Sequence, residues 1–214
     1  MKKLISYIWP TTRRFSSEIN GTLEVTYING KKVLDTENAN YSYGSLQKIL
    51  EIGLTKVDLK SVENLLLLGM GGGSVINSLK KMGFYEVIFA VELDPEIIKI
   101  AKNEFNIKEA GNLIIIQANA AKYVKNCAEK FQLIIIDLFI DIKVPTIFYG
   151  KEFCENVSNL LDSDGSIIFN VGINLEKKPD TVQTIISHFG NDFEFQVLPK
   201  VNRTNTLLIG KKLK

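Results

Sequence analysis

Apolar and polar residues follow two rhythms along this chain. From Ser17 to Thr36 they alternate, with Leu23, Val25 and Tyr27 ahead of Asn29-Gly30 and Val33 behind it. Asn-Gly accepts positive φ at both central turn positions, so the pattern predicts a β-hairpin. Between Tyr41 and Leu54 the spacing becomes helical, carried by Leu46, Ile49 and Leu50, with Gly53 near its stop. From Asn64 onward, short continuous apolar runs alternate with amphipathic stretches. The runs are Leu65–Leu68, Val87–Val91, Leu113–Ile116, Leu133–Ile136 and Ile167–Phe169. The stretches are Ser74–Met82, Pro95–Phe105, Ala120–Ala128, Lys151–Leu161 and Thr181–Phe189. Strands apolar on both faces are covered by helices on both sides, as in a doubly wound parallel sheet. Asp162–Gly165 reads as a turn before the fifth run, and Phe193–Leu198 with Thr206–Ile209 as a closing hairpin.

The fold class expected is α/β, a doubly wound, mostly parallel seven-stranded sheet with a small N-terminal β-hairpin extension. The division expected is 1–44 for the extension and 45–214 for the α/β domain. A chain of 214 residues suits this arrangement.

Composition narrows the picture by exclusion. The formal net charge of +2 is too small to argue for nucleic acid or an anionic membrane, and pairs such as Lys80-Lys81 and Lys211-Lys212 read as solvated faces. No stretch reaches the ~20 apolar residues of a membrane helix. The apolar run near the N-terminus is short and interrupted by Pro10 and Arg13-Arg14, unlike a signal peptide. Cys127 and Cys154, both in segments that read as helix, are expected to be small buried residues in a reducing, cytoplasmic setting. His188, the sole histidine, argues against a zinc site and reads as a surface residue.

Candidate chemistry gathers where strands run into helices. LLLLGMGGGSV passes from strand to helix, and its glycines permit a tight bend and close approach of a ligand to main chain. The next strand ends in VELDP, which puts Glu92 roughly twenty residues beyond the glycines, where a carboxylate can accept hydrogen bonds from both hydroxyls of an adenosine ribose. A dinucleotide fingerprint needs glycine where Ser74 stands. The pattern Gly69, Gly71, Gly73 suits a methionine-based nucleoside better than a pyrophosphate. Asn119, followed by Ala120, is readable equally as an adenine contact and as a helix N-cap. Asp94 is readable as a second nucleoside contact or as a charge favoured by the following helix N-terminus. Asp137 ends a four-residue apolar run, an expensive place for a charge without a task. Tyr41, Tyr43, Phe139, Phe148 and Tyr149 suit either a pocket for a planar group or ordinary packing. The stretch Phe139–Gly150 reads as a loop fit to act as a lid.

In the order LEVTYINGKKVLDT, NYSYGSLQKIL, LLGMGGGS, VELD, Asp137 and FYGKEFCENVSNLLDSDGSIIFN, the chain resembles the spermidine synthase group of the class I S-adenosylmethionine-dependent transferases. The resemblance implies a class I methyltransferase-like Rossmann fold and a cofactor that is S-adenosylmethionine or its decarboxylated form. It implies nucleoside contacts at Gly69, Gly71, Gly73, Glu92, Leu93, Asn119, Ala120 and Asp137. Asp137 becomes the general base, and Tyr43, Phe139 and Asp141 become acceptor-side residues. The departures are specific. Gly72 replaces an acidic loop residue, Gly44-Ser45 replaces Gln-Glu, and Asp137-Leu138-Phe139-Ile140-Asp141 replaces a D-S-S-D-P signature. A polyamine needs carboxylates for each of its ammonium groups, so these losses point to a methyltransferase acting on an amine or hydroxyl of a small molecule. Aminopropyl transfer and nucleoside binding without chemistry are the alternatives. No nucleic-acid or membrane partner is expected, and the open edge of the hairpin is available to a second copy in a homodimer.

Overall fold

The computed structural model describes residues 6–36, 40–175 and 178–214, with the side chains of Asn40, Tyr41 and Ser45 left aside. Two sheets organise it. The first is antiparallel, in the order β1 (Thr11–Ser17), β2 (Gly21–Ile28), β3 (Lys31–Thr36) and β4 (Asn40–Ser42). Its β2–β3 turn falls at Asn29-Gly30, where φ is 48° and 72°, as the hairpin signal requires. The expected hairpin is thus the centre of a larger sheet. The added strand β1 has the polar sequence TTRRFSS and pairs only with β2.

The second sheet has seven strands. Helix α1 (Gly44–Leu54) precedes β5 (Asn64–Leu68), followed by α2 (Ser74–Lys81), β6 (Val87–Glu92), α3 (Pro95–Glu104) and β7 (Leu113–Gln117). Then come α4 (Ala120–Asn126), β8 (Phe131–Ile136), α5 (Lys151–Leu160), β9 (Leu161–Ile173), α6 (Pro179–His188), β10 (Phe193–Val201) and β11 (Asn205–Lys212). The order is β10-β11-β9-β8-β5-β6-β7; β11 pairs antiparallel with both β10 and β9, and the other pairings are parallel. Five parallel strands and a closing hairpin are the arrangement expected. Asp162–Gly165 is not a turn ahead of the strand; it bulges within β9, between the pairings Phe131–Leu161 and Leu133–Ser166.

Burial explains the continuous apolar runs. Successive residues of a strand point to opposite faces. Leu66 and Leu68 join a core with Val124 of α4, Phe153 and Val157 of α5 and Val182 of α6. Leu65 and Leu67 join the opposite core with Ile49 of α1 and Ile76 and Leu79 of α2. All four leucines are fully buried, and truncating one costs about 2–5 kcal/mol. A third cluster seats the N-terminal sheet on α3 through Leu23, Val25, Leu34, Ile97 and Ile100. Lys32 reinforces it with bonds of 2.8 and 2.7 Å to the carboxylate and carbonyl of Glu104. Cys154 is buried in α5, and burial pushes its thiol up to about 12. Cys127 departs from expectation: it caps the end of α4 and is only half-buried. No helix among the described residues is long and apolar enough to cross a membrane.

Candidate functional site

The carboxyl ends of β5, β6, β7, β8 and β9 open into one cavity of about 440 Å³, a size typical of small-molecule sites. It lies where the strand order reverses, between β5 and its neighbours β6 and β8. Gly69, Gly71, Glu92, Leu93, Asn119, Ala120, Asp137, Phe139 and Asp141 all line it, so most of the candidates converge from four separate strand ends.

The glycine loop is held by the chain's own atoms. The N–H groups of Gly69 and Met70 both donate to the Val91 carbonyl at 3.0 Å, and Gly73 N–H donates to the Met70 carbonyl. Gly69 has φ +88°, and a Cβ there would stand 2.1 Å from the Asp137 carbonyl oxygen. Its glycine character therefore serves the approach of two strand ends. Gly73 departs from expectation. It does not line the cavity, and a Cβ there would strike Ile107 at 2.4 Å, so it is a packing glycine. Gly72 is hemmed in by Ser42 and Tyr43, whose atoms would lie 3.1 and 3.2 Å from a Cβ.

Glu92 closes the loop. One carboxylate oxygen accepts from Gly71 N–H at 2.9 Å, and the other accepts from Leu93 N–H at 2.8 Å and Asp94 N–H at 3.1 Å. The side chain is buried, and desolvation pushes its pKa up against these three donors, which hold it down. A carboxylate offers about four acceptor positions, so capacity remains on the side lined by the cavity. Asp94, two residues on, resolves the other way. It caps α3 through Glu96 N–H at 2.9 Å and accepts from Ser17 Oγ and from Asn20 Nδ2, the latter at 2.7 Å. It anchors the β1–β2 turn to the α/β core and does not line the cavity. Asn119 satisfies both of its readings: its Oδ1 caps α4 by accepting from Lys122 N–H at 3.1 Å, and the residue lines the cavity.

Asp137 sits at the end of β8, its own N–H bound to the Leu68 carbonyl at 2.9 Å. Asn170 Nδ2 donates to its Oδ1 at 2.9 Å, Asn205 Nδ2 donates to Asn170 Oδ1 at 3.0 Å, and Thr204 Oγ1 donates to Asn205 Oδ1 at 2.8 Å. Every donor in this row points toward the carboxylate. Desolvation nonetheless raises the Asp137 pKa from 3.8 to about 6, outweighing the Asn170 hydrogen bond. The sequence reading missed all three partners. Asn170 carried a usable signal, a polar residue closing the apolar run IIF just as Asp137 closes LIII. Thr204, in the turn between the hairpin strands, and Asn205, the first residue of β11, carried none.

The remaining acceptor-side candidates separate. Phe139 lines the cavity. Asp141 lines it too, at φ +54° in a two-residue turn closed by bonds between Ile140 and Lys143, and Thr36 Oγ1 donates to it at 3.0 Å. Tyr43 lies outside the lining. Its ring stacks on Phe105 at 4.3 Å, its hydroxyl donates to the Gly72 carbonyl at 3.0 Å, and Asn77 donates to that hydroxyl at 2.8 Å. Phe148 lines the cavity from a 3-10 turn, Thr146–Tyr149. Tyr149 does not; it donates to the Val171 carbonyl at 2.6 Å. The Tyr41 side chain lies outside the described residues. His188 is half-buried, with Nδ1 2.8 Å from the Tyr149 carbonyl, away from the cavity.

Comparisons with known proteins agree with this geometry. Residues 48–210 match the spermine/spermidine synthase domain model. A polyamine aminopropyltransferase of Vibrio vulnificus is 27% identical over 138 residues, 63% of this chain and 46% of that protein. Polyamine aminopropyltransferase 2 of Aquifex aeolicus is 32% identical over 129 residues, 56% of this chain and 26% of that protein. The aligned region thus spans half or less of the length of these curated relatives. Among solved structures, a spermidine synthase in complex with the transition state analogue AdoDATO superposes with a TM-score of 0.72 at 14% identity, covering 94% of this chain and 73% of that one. Human methyltransferase-like protein 13 in complex with SAH gives 0.64 at 20% identity, covering 79% and 82%. At these identities the structural likeness speaks for the fold, a methyltransferase-like Rossmann architecture. The family match extends over most of the chain, from α1 to the last strand, and the chain belongs to the spermine/spermidine synthase domain family.

Proposed function

We propose that this protein is a transferase that binds a sulfonium nucleoside, S-adenosylmethionine or its decarboxylated form, and passes an alkyl group to a small acceptor held beside Asp137. The observation that carries the reading is the convergence of the Glu92-braced glycine loop and the Asp137 carboxylate on one cavity. The residues fit the nucleoside. Glu92 retains acceptor capacity for ribose hydroxyls, Asn119 stands at the neighbouring strand end, and Leu93 and Ala118 offer apolar surface to a base.

When bound, the sulfonium supplies an activated carbon whose bond to sulfur breaks as a bond to the acceptor's nitrogen or oxygen forms, leaving a neutral thioether. The chain's own residues position the acceptor and take its proton. Holding the nucleophile within near-attack distance supplies much of the acceleration in such a displacement. Asp137, poised near 6, is ionised at neutral pH and accepts the proton that the new ammonium or the hydroxyl gives up.

Two observations pull the finer reading apart. The names of the relatives favour aminopropyl transfer from the decarboxylated cofactor. Gly72, enclosed by Ser42 and Tyr43, and the scarcity of carboxylates in the cavity favour methyl transfer. A paired assay discriminates them. Purified protein is incubated with a small-amine and alcohol panel, putrescine included, and either donor, with products resolved by mass. An adduct heavier by a methyl group establishes the first reading and one heavier by an aminopropyl group the second. Silence with both donors, alongside intact nucleoside binding, leaves only a binding protein.

A further inference from the structure

Four isoleucines line the acceptor side of the cavity with much of their own surfaces open. Ile140, Ile142 and Ile147 follow β8, the strand that carries Asp137, and Ile173 ends β9, the strand that carries Asn170. Their exposure runs from 37% at Ile173 to 59% at Ile147, although each also lines the cavity. Large apolar side chains scattered singly on a surface need no explanation, but a contiguous group at the mouth of a cavity does. The wall behind them, Leu138, Phe139, Pro145 and Phe148, is apolar as well. The mount is firm: Ile140 and Ile142 flank Asp141 in the closed turn that Thr36 holds from the N-terminal sheet.

Charge supplies the second half of the case. Among the described residues, the carboxylates lining the cavity are Glu92, Asp137 and Asp141. Glu92 is turned to the glycine loop, at the nucleoside end, by three backbone donors, and Asp141 is held at the turn by Thr36. Lys143, exposed in that same turn, adds a positive charge beside the rim, which disfavours a second ammonium there. A diamine would therefore meet one carboxylate at the reacting end and an apolar, cation-flanked surface at the other.

Resting on the transferase reading above, we infer that the acceptor is amphiphilic: one amine or hydroxyl at Asp137, and an uncharged apolar tail running out over Ile140, Ile142, Ile147 and Ile173. The size of the rim favours a small molecule over a second copy of the chain. Four partly exposed isoleucines present roughly 350 Å², within the range of functional patches on monomers. A stable protein interface takes about 800 Å² from each partner.

The test uses S-adenosylhomocysteine to load the protein, then calorimetric titration with n-alkylamines from butylamine to octylamine and with the diamines of equal length. Burying each methylene on the rim should tighten binding about threefold to fourfold. Each diamine should bind at least tenfold more weakly than its monoamine partner. The Ile147→Asp and Ile140→Asp variants should flatten the chain-length series while keeping their affinity for S-adenosylhomocysteine. A flat series in the wild type, or diamines that match or exceed the monoamines, overturns the inference. So does a wild-type dimer in sedimentation that Ile147→Asp splits, since the rim then belongs to a second copy. Failure to bind either S-adenosylhomocysteine or methylthioadenosine, the thioether left by the decarboxylated donor, removes the nucleoside reading itself, and the tail with it.

Discussion

Asn170 Nδ2 lies 2.9 Å from Asp137 Oδ1, and the amide that makes this bond is itself held at its oxygen by Asn205. Asp137 follows β8 and Asn170 lies within the adjacent parallel strand β9, and the two strands pair through Ile136 and Phe169 immediately before them. With Thr204 behind Asn205, three aligned donors polarise one another toward a single carboxylate, and such rows reinforce their members. Asn170 and Asn205 are almost completely buried. The orientation of Asp137 is therefore set from the floor of the sheet, while its other side stays open to the cavity.

Replacing Asn170 by Leu removes the one donor that favours the ionised form of Asp137. The Asp137 pKa then rises above its present value of about 6, and the acidic limb of the pH–rate profile moves to higher pH by about one unit. Asn205 is left with a buried, unpaired donor, so urea denaturation should show a loss of about 1–3 kcal/mol. An unmoved pH limb would mean that the row of amides is merely structural.

Asp137→Asn should reduce turnover by about 10²–10⁴-fold, the usual contribution of a positioned base, with little change in nucleoside affinity. Its stability effect has a definite sign. The folded-state pKa is raised above the unfolded value, so the folded protein binds the extra proton between about 4 and 6 and loses stability as pH rises through that window. The variant escapes this cost. Relative to wild type it should gain about 2 kcal/mol on going from pH 4 to pH 8, measured by urea denaturation at both values.

Glu92→Ala releases the backbone N–H groups of Gly71, Leu93 and Asp94 together. Loss of a ligand-facing carboxylate that also braces the loop should weaken S-adenosylhomocysteine by at least a hundredfold and lower the melting temperature. Glu92→Gln keeps one carbonyl acceptor and should fall between the two. Equal behaviour of the Gln variant and wild type would show that the charge is idle.

Gly73→Ala separates packing from binding. The position combines φ +84° with an Ile107 side chain 2.4 Å from where a Cβ would stand. Strain and overpacking together should cost about 2–4 kcal/mol in thermal or chemical unfolding. Nucleoside affinity measured well below the melting temperature should stay within about threefold of wild type, because the residue faces away from the cavity.

The central parallel strands were legible because they are buried on both faces, so each left an uninterrupted apolar run such as Leu65–Leu68 or Ile134–Ile136. The strand-end carboxylates Glu92 and Asp137 stood out against those runs for the same reason. Strand β1 was not legible: TTRRFSS is an edge strand whose stability comes from pairing with β2 and from Phe15 against the third cluster, neither of which leaves a period in sequence. For Tyr43 and Asp94 two readings stayed open, because sequence gives proximity to the glycine loop without direction. One turned its ring to Phe105, and the other turned its carboxylate to the β1–β2 turn. The Asn170–Asn205 pair joins residues far apart in sequence and required the antiparallel pairing of β9 with β11 to meet.

Calorimetric titration of the purified protein with S-adenosylhomocysteine, beside the Glu92→Ala variant and with NADH as a control, tests the nucleoside site most directly. The account predicts saturable one-to-one binding to the wild type, at least a hundredfold weaker binding to the variant, and no heat from NADH. Equal affinity of wild type and variant, or no binding of either S-adenosylhomocysteine or methylthioadenosine at millimolar concentration by a folded protein, would contradict it.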